Sequence, residues 1–142
     1  MYKRQPLRTQ TDVEALIEGL RDGTIDMVTS DHNPIDIEDK KIEFDHALYG
    51  TIGLESAFSA LQSIFTTKKT ISLLTKGRQR FGIEESYISE GQKANLTLFN
   101  PDIKYQFGKK DIMSTSKNSC FLGEELKGKT YGIIANNKID II

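Results

Sequence analysis

The chain has 142 residues, enough for one domain with a hydrophobic core, and a formal net charge of −1 from 19 basic and 20 acidic side chains. This balance leaves no overall field to attract nucleic acid or an anionic membrane. No apolar run reaches the roughly 20 residues that a membrane helix requires.

The cysteine count and the first residues of the chain indicate the cellular compartment of the protein. Cys120 is the only cysteine, so a disulfide framework within the chain is excluded, and a reducing compartment is expected. Residues 1–5 are polar and lack the apolar segment of a signal peptide. The sequence therefore predicts a soluble, cytoplasmic protein.

The first predicted element is an amphipathic helix. Thr11 and Glu14 have the spacing of a capping box, in which each side chain satisfies a free backbone N–H of the other residue. Apolar residues then recur at helical spacing on one face: Val13, Leu16, Ile17 and Leu20. Gly23 is expected to end this helix.

The next segment is the central one for function. Residues 25–28 form an apolar run that predicts a short buried strand, whose carboxyl end brings Asp31 and His32 into a loop. In parallel α/β folds ligands and catalytic groups gather at this end of the strands. Asp31 is therefore a candidate metal ligand or proton carrier, and the alternative is a turn or cap residue. A long charged loop over residues 33–49 would overhang the site.

The rest of the chain changes from helical to alternating periodicity. Residues 54–65 and 71–81 predict two more helices, the second weakened by Gly77. After Gly82, alternating apolar runs predict strands at 96–99, 103–107, 131–135 and 139–142, with a hairpin turn at Asn136 and Asn137. The fold class is therefore α/β, with a first part at residues 1–85 and a β-rich second part at 86–142.

Several motifs, in the same order, resemble the last barrel segments and the tail of a dihydroorotase, a metal-dependent enzyme of the amidohydrolase superfamily. They are Leu-Arg at residues 7–8, Ser-Asp-His-x-Pro at 30–34, Gly-Thr-Ile-Gly-Leu-Glu at 50–55 and Glu-Gly-Gln-Lys-Ala-Asn at 90–95. The resemblance implies a C-terminal fragment of a (β/α) barrel over residues 1–85, joined to strands of a small composite β-sandwich over 86–142. A whole barrel needs about 250 residues, more than this chain holds.

The resemblance also implies a cofactor and a role for Asp31. A dihydroorotase-like enzyme of pyrimidine synthesis opens or closes a cyclic amide with zinc, and the matching carboxylate binds the metal and moves a proton. The family's other ligands, histidines in a His-x-His pair and a bridging lysine, would come from earlier strands. One carboxylate does not hold a catalytic zinc, which takes about three protein ligands. The chain by itself is therefore expected to be inactive.

Substrate-binding positions depart from the family pattern. Arg4 replaces an asparagine that contacts the substrate, although its cation could partly compensate. Ile35 replaces a histidine that contacts the substrate carboxylate, and losing such a contact costs about 1.5–3 kcal/mol. In the loop whose backbone faces the substrate, Gly50 is kept, Tyr49 is a mild change, and Leu48 replaces a proline.

Three functional hypotheses follow. The first is a dihydroorotase-like hydrolase of a small cyclic amide, acting as a homo-oligomer. The second is a non-catalytic homologue that stabilises a partner enzyme, since some members of this family pair with aspartate transcarbamoylase. The third is an independent interaction domain. No nucleic acid or membrane partner is expected.

Overall fold

Helices come first and an antiparallel sheet last in the computed structural model, which describes residues 9–84 and 87–141. The elements are α1 (Gln10–Asp22), α2 (Leu54–Gln62), α3 (Thr67–Thr75), α4 (Gly77–Arg80), β1 (Leu96–Gln106), β2 (Glu125–Ala135) and β3 (Lys138–Ile141). Short 3₁₀ turns lie at Glu38–Lys40 and Lys109–Asp111.

Helix α1 begins two residues earlier than the sequence predicted. Thr9 is the N-cap: its hydroxyl accepts from the Asp12 backbone N–H at 3.3 Å, and the Asp12 carboxylate accepts from the Thr9 N–H at 3.0 Å. The capping box is therefore Thr9 with Asp12, and the prediction of Thr11 with Glu14 was wrong. Both pairs have the required spacing, and the extended backbone of Thr9 identifies the one that forms. Gly23 ends α1 in the left-handed conformation, as expected.

The predicted strand at residues 25–28 is not formed among the described residues. The segment has no ladder partner; instead, the Ile25 N–H donates to the Gly19 carbonyl at 2.8 Å, and the Val28 N–H donates to the Leu73 carbonyl at 2.9 Å. A strand is defined by pairing with another strand, and the described residues supply none beside this segment. The segment still leads from α1 to Asp31.

The third predicted helix is divided into two. Helix α3 begins earlier than predicted, after the N-cap Thr66, and Lys76 separates it from the short α4. Gly77 starts α4, where a Cβ would lie 2.9 Å from the Met27 sulfur. The glycine thus lets this helix approach the segment that carries Asp31, at the cost of helix continuity.

Across residues 9–84 and 87–141 the sheet has three strands, in the order β1-β2-β3, rather than the four predicted. The runs at 96–99 and 103–107 join in one strand, β1, which pairs with β2 through an irregularity between Asn100 and Lys104. The predicted hairpin is confirmed: Asn136 and Asn137 have φ of 51° and 59°, and they connect β2 to β3.

Two buried clusters hold these elements together. One consists of Leu61, Phe65 and Leu73, covered by side chains of α1 and of the segment before Asp31. The other joins Ile52, just before α2, to Phe107, Ile112 and Leu126. Burying an apolar side chain of this size contributes about 1.5–3 kcal/mol, so the second cluster fixes α2 firmly against the sheet region. Over residues 9–84 and 87–141, no helix is long and apolar enough to span a membrane.

Candidate functional site around Asp31

Asp31 lies on the surface in an unusual backbone conformation. Its φ is 43°, in the left-handed region that residues with a side chain rarely occupy. Such a conformation costs on the order of 1 kcal/mol, and it persists only where neighbouring contacts impose it. The carboxylate is exposed and has no hydrogen bond or ion pair with any residue in the described ranges. It is therefore available to a ligand.

The residues on both sides of Asp31 are fixed by backbone contacts. The Asn33 N–H donates to the Thr51 carbonyl at 3.0 Å, and the Asn33 side-chain amide donates to the Tyr49 carbonyl at 3.1 Å. On the other side, a Cβ at Gly53 would lie only 2.7 Å from the Ser30 carbonyl oxygen. The Asp31 loop thus runs directly along residues 49–53.

His32 caps helix α2. Its Nδ1 accepts from the backbone N–H groups of Gly53 and Leu54, both at 3.2 Å. The N-cap residue Gly53 has no side chain for this task, so the imidazole replaces the usual serine or aspartate oxygen. Because Nδ1 accepts, the hydrogen-bond pattern assigns the ring proton to Nε2.

Glu55 and Ser114 extend this contact into the second part of the chain. Nε2 of His32 lies 3.5 Å from the Ser114 hydroxyl, and the hydroxyl donates a very short hydrogen bond to Oε1 of Glu55. The Ser114 N–H donates to the same oxygen at 2.8 Å. Burial raises the pKa of Glu55, but the hydrogen bonds from the Ser114 hydroxyl and N–H and from the Glu55 backbone outweigh it, so the pKa lies below its ordinary value.

Ile35, Tyr49 and Gly50 lie together beside the Asp31 loop. Gly50 has a φ of 148°, and a Cβ there would lie 2.7 Å from Cγ1 of Ile35, so the Ile35 side chain covers the Gly50 backbone. The Ser116 hydroxyl donates to the Ile35 carbonyl at 2.8 Å, and the Asn118 amide donates to the Gly50 carbonyl at 3.0 Å. Tyr49 is 58% exposed, so its ring is open to contact from outside.

Arg4 lies outside the described residues, as do Leu7 and Arg8 of the first motif.

Sequence reasoning did not find the structural roles of Glu55, Ser114 and Asn118. The one available signal was Gly53: a glycine at the start of a predicted helix has no capping oxygen, so another residue must supply the acceptor.

A metal centre would need more ligands than the described residues bring together. Among them there is no group of three or more His, Cys, Asp and Glu side chains placed to hold an ion. The free carboxylate of Asp31 fits a single ligand position, because no cation or donor of those residues competes for it.

Comparisons with known proteins identify relatives of the whole chain. A dihydroorotase from Caldicellulosiruptor saccharolyticus is 43% identical over 141 residues, and one from Chlorobaculum tepidum is 38% identical over 143 residues. The alignments cover 94% and 96% of this chain but only 33% of each relative, so the chain spans about a third of their length. No protein-family model matches the chain.

Solved structures show the same fold. A D-hydantoinase (dihydropyrimidinase) from Thermus sp. superposes with a TM-score of 0.84 at 23% identity, and a dihydropyrimidinase from Brevibacillus agri with 0.86 at 20%. Both matches cover 99% of this chain and 33% of the larger protein. Over nearly its whole length the chain is therefore homologous to dihydroorotases and corresponds to a C-terminal portion of them, and it shares the fold of the matching part of the hydantoinases.

Proposed function

We propose that the longer protein to which this chain belongs is a metal-dependent hydrolase that opens or closes the C–N bond of a cyclic amide. The observation that carries the proposal is the exposed carboxylate of Asp31, which has no partner within residues 9–84 and 87–141 and whose backbone is held in a left-handed conformation by its neighbours. Strain of this kind concentrates at functional sites. The relatives named dihydroorotase supply the reaction class.

Asp31 has two tasks in this proposal. Its carboxylate would provide one ligand to a zinc ion, and the other ligands would come from the part of the protein outside this chain. A bound zinc ion supplies a water of lowered pKa and polarises the amide carbonyl. The free oxygen of Asp31 accepts a proton from the attacking water and returns it to the departing nitrogen, as a general base and then a general acid.

Residue 35, at a position where the family contacts the substrate, has an apolar side chain. Ile35 cannot hydrogen-bond a carboxylate, and its side chain already lies against Gly50. We therefore propose that the site takes a ring whose substituent near Ile35 is neutral, with the exposed Tyr49 side chain lining the opening. A ring that carries a carboxylate there loses a charge-assisted contact worth about 1.5–3 kcal/mol.

The architecture of the longer protein is part of the proposal. Residues 1–85 would complete a (β/α) barrel, and residues 86–142 would add strands to a small sandwich. The segment at 25–28, which forms no strand among the described residues, would then become a barrel strand. The clustering of helices before residue 82 and of strands after residue 95 supports this boundary.

The test is Asp31→Asn in the longest natural form of the protein. Asparagine keeps the size of the side chain but is neutral and cannot take up the proton, so turnover of a cyclic amide is expected to fall by about 10²–10⁴-fold. A panel of dihydroorotate, dihydrouracil and hydantoin identifies the ring. Preference for a neutral ring agrees with Ile35, and preference for dihydroorotate refutes that part.

The matched control is Asp45→Asn, an exposed carboxylate of the same loop region. It changes the net charge by the same amount and should leave turnover within twofold. If Asp31→Asn retains full turnover in a folded protein, Asp31 has no part in the mechanism.

The second candidate is a non-catalytic homologue that stabilises aspartate transcarbamoylase. The observation in its favour is Ile35, a hydrocarbon packed on Gly50 where the family places a substrate-binding histidine. The zinc content of the longest natural form, purified without added metal, separates the two. Bound zinc with turnover supports the hydrolase, whereas metal-free protein that co-elutes with aspartate transcarbamoylase supports the scaffold.

A further inference from the structure

A chain of polar contacts connects the neighbour of Asp31 to the distant segment around Ser114. His32 contacts Ser114, which is 82 residues away in the sequence, and Ser114 in turn contacts Glu55 in the first turn of α2. Lys117 holds this segment in place, since its ammonium donates to the Ile112 and Ser114 carbonyls at 2.8 and 2.9 Å. The Asp31 loop is thereby joined to the second part of the chain.

The direction of the hydrogen bonds follows from the acceptors. Nδ1 of His32 accepts from two backbone N–H groups, so Nε2 carries the proton and faces the Ser114 oxygen. The Ser114 hydroxyl then donates to Oε1 of Glu55. The two hydrogen bonds therefore run in the same direction: the His32 imidazole donates to Ser114, and Ser114 donates to the Glu55 carboxylate.

This direction excludes a nucleophilic serine. A base that activates Ser114 would need a free lone pair on Nε2, and that nitrogen carries the proton. The hydroxyl proton is committed to Glu55, which is itself anchored at the start of α2. The arrangement therefore restrains groups and does not prepare one for attack.

We propose that His32, Glu55 and Ser114 are positioning residues that hold Asp31 in its left-handed conformation and aim its carboxylate. This inference rests on the proposed role of Asp31. His32 adjoins Asp31 and is fixed at both ring nitrogens, so its position limits the backbone freedom of Asp31. Errors of about 1 Å in the position of a reacting group can cost 10²-fold in rate.

The experiment compares Ser114→Ala with Ser114→Thr in the longest natural form of the protein. The alanine variant removes the hydroxyl between His32 and Glu55, and the threonine variant restores it. Ser63→Ala is the matched control, because the Ser63 hydroxyl also joins α2 to the second part of the chain, accepting from the Lys127 N–H at 2.8 Å. Ser63 lies at the opposite end of α2 from Asp31.

The first readout is amide hydrogen exchange of residues 30–36, which does not depend on activity. Ser114→Ala should accelerate exchange in this segment by about threefold or more, because the restraint on His32 is lost, while Ser63→Ala should not. The second readout is steady-state kinetics. Ser114→Ala should lower kcat by about tenfold with KM within twofold, and Ser114→Thr should restore kcat.

The outcomes separate this inference from the proposed function. Unchanged exchange in Ser114→Ala, or faster exchange with unchanged kcat, overturns the positioning role. Faster exchange in a protein whose wild type turns over no cyclic amide refutes the proposed function while supporting the restraint on Asp31. If Ser114→Ala does not fold, His32→Asn takes its place, since the asparagine oxygen can cap α2 in place of Nδ1 but cannot reach Ser114.

Discussion

At the scale of single residues, Gly50 allows two loops of the site to meet. Its φ of 148° is disfavoured for any residue with a Cβ, and an added Cβ would lie 2.9 Å from the Asn33 carbonyl oxygen and 2.7 Å from Ile35. Because one of these atoms belongs to the backbone, a side-chain rotation cannot relieve the overlap. The loop that carries Asp31 would have to move.

Gly50→Ala is therefore expected to lower the free energy of unfolding by about 1–3 kcal/mol. Chemical denaturation measures the change. Gly91→Ala is the matched control: Gly91 also has a positive φ, of 78°, but no atom lies within 4 Å of the added Cβ. Equal losses in the two variants would show that backbone strain alone acts and that the contact with the Asp31 loop is unimportant.

At the scale of secondary structure, the hairpin between β2 and β3 depends on two left-handed asparagines. Asn137, with a φ of 59°, occupies a turn position where glycine is preferred and other residues are strained. Asn137→Gly is expected to change stability by less than about 0.5 kcal/mol, and Asn137→Ala to destabilise by about 1 kcal/mol. Thermal unfolding checks both values, and a neutral Asn137→Ala would contradict the turn geometry.

Local signals made this hairpin and helix α1 predictable. The two asparagines and Gly23 adopt left-handed backbone conformations that form the turn and end the helix, so a short stretch of sequence is enough to predict both features. The start of α1 was misplaced because two threonine–carboxylate pairs compete within six residues. The prediction of a strand at 25–28 was not met for a different reason. A strand forms only by pairing with another strand, and the described residues provide none beside this segment.

The candidate site was predictable only in part, for the same reason. Asp31 was found because it follows an apolar run and belongs to a recognisable motif. The contacts that hold its loop were not found, because His32, Glu55 and Ser114 are brought together only by the packing of α2 against the second part of the chain. No local pattern marks a serine 82 residues away as a partner.

At the scale of the whole molecule, the sheet exposes apolar side chains along β2 and β3. Ile139 and Ile141 are 67% and 66% exposed, and Tyr131 and Ile133 are 42% and 51% exposed. Strand β3 pairs on one side only, with β2, among the described residues. An apolar sheet with an open edge promotes association.

The isolated 142-residue chain is therefore expected to associate through this surface and to bind a hydrophobic dye such as ANS, whereas the longest natural form should cover the surface and bind no ANS. The relatives are about three times as long, so they have sufficient additional chain to provide that cover. Sedimentation velocity over a range of concentrations measures association, and Ile139→Lys with Ile141→Lys should suppress it. Ile88→Lys, at an isoleucine that is 88% exposed outside the sheet, is the control. Because isolated exposed apolar residues are ordinary on protein surfaces, suppression by the control alone would place the association surface elsewhere than β3.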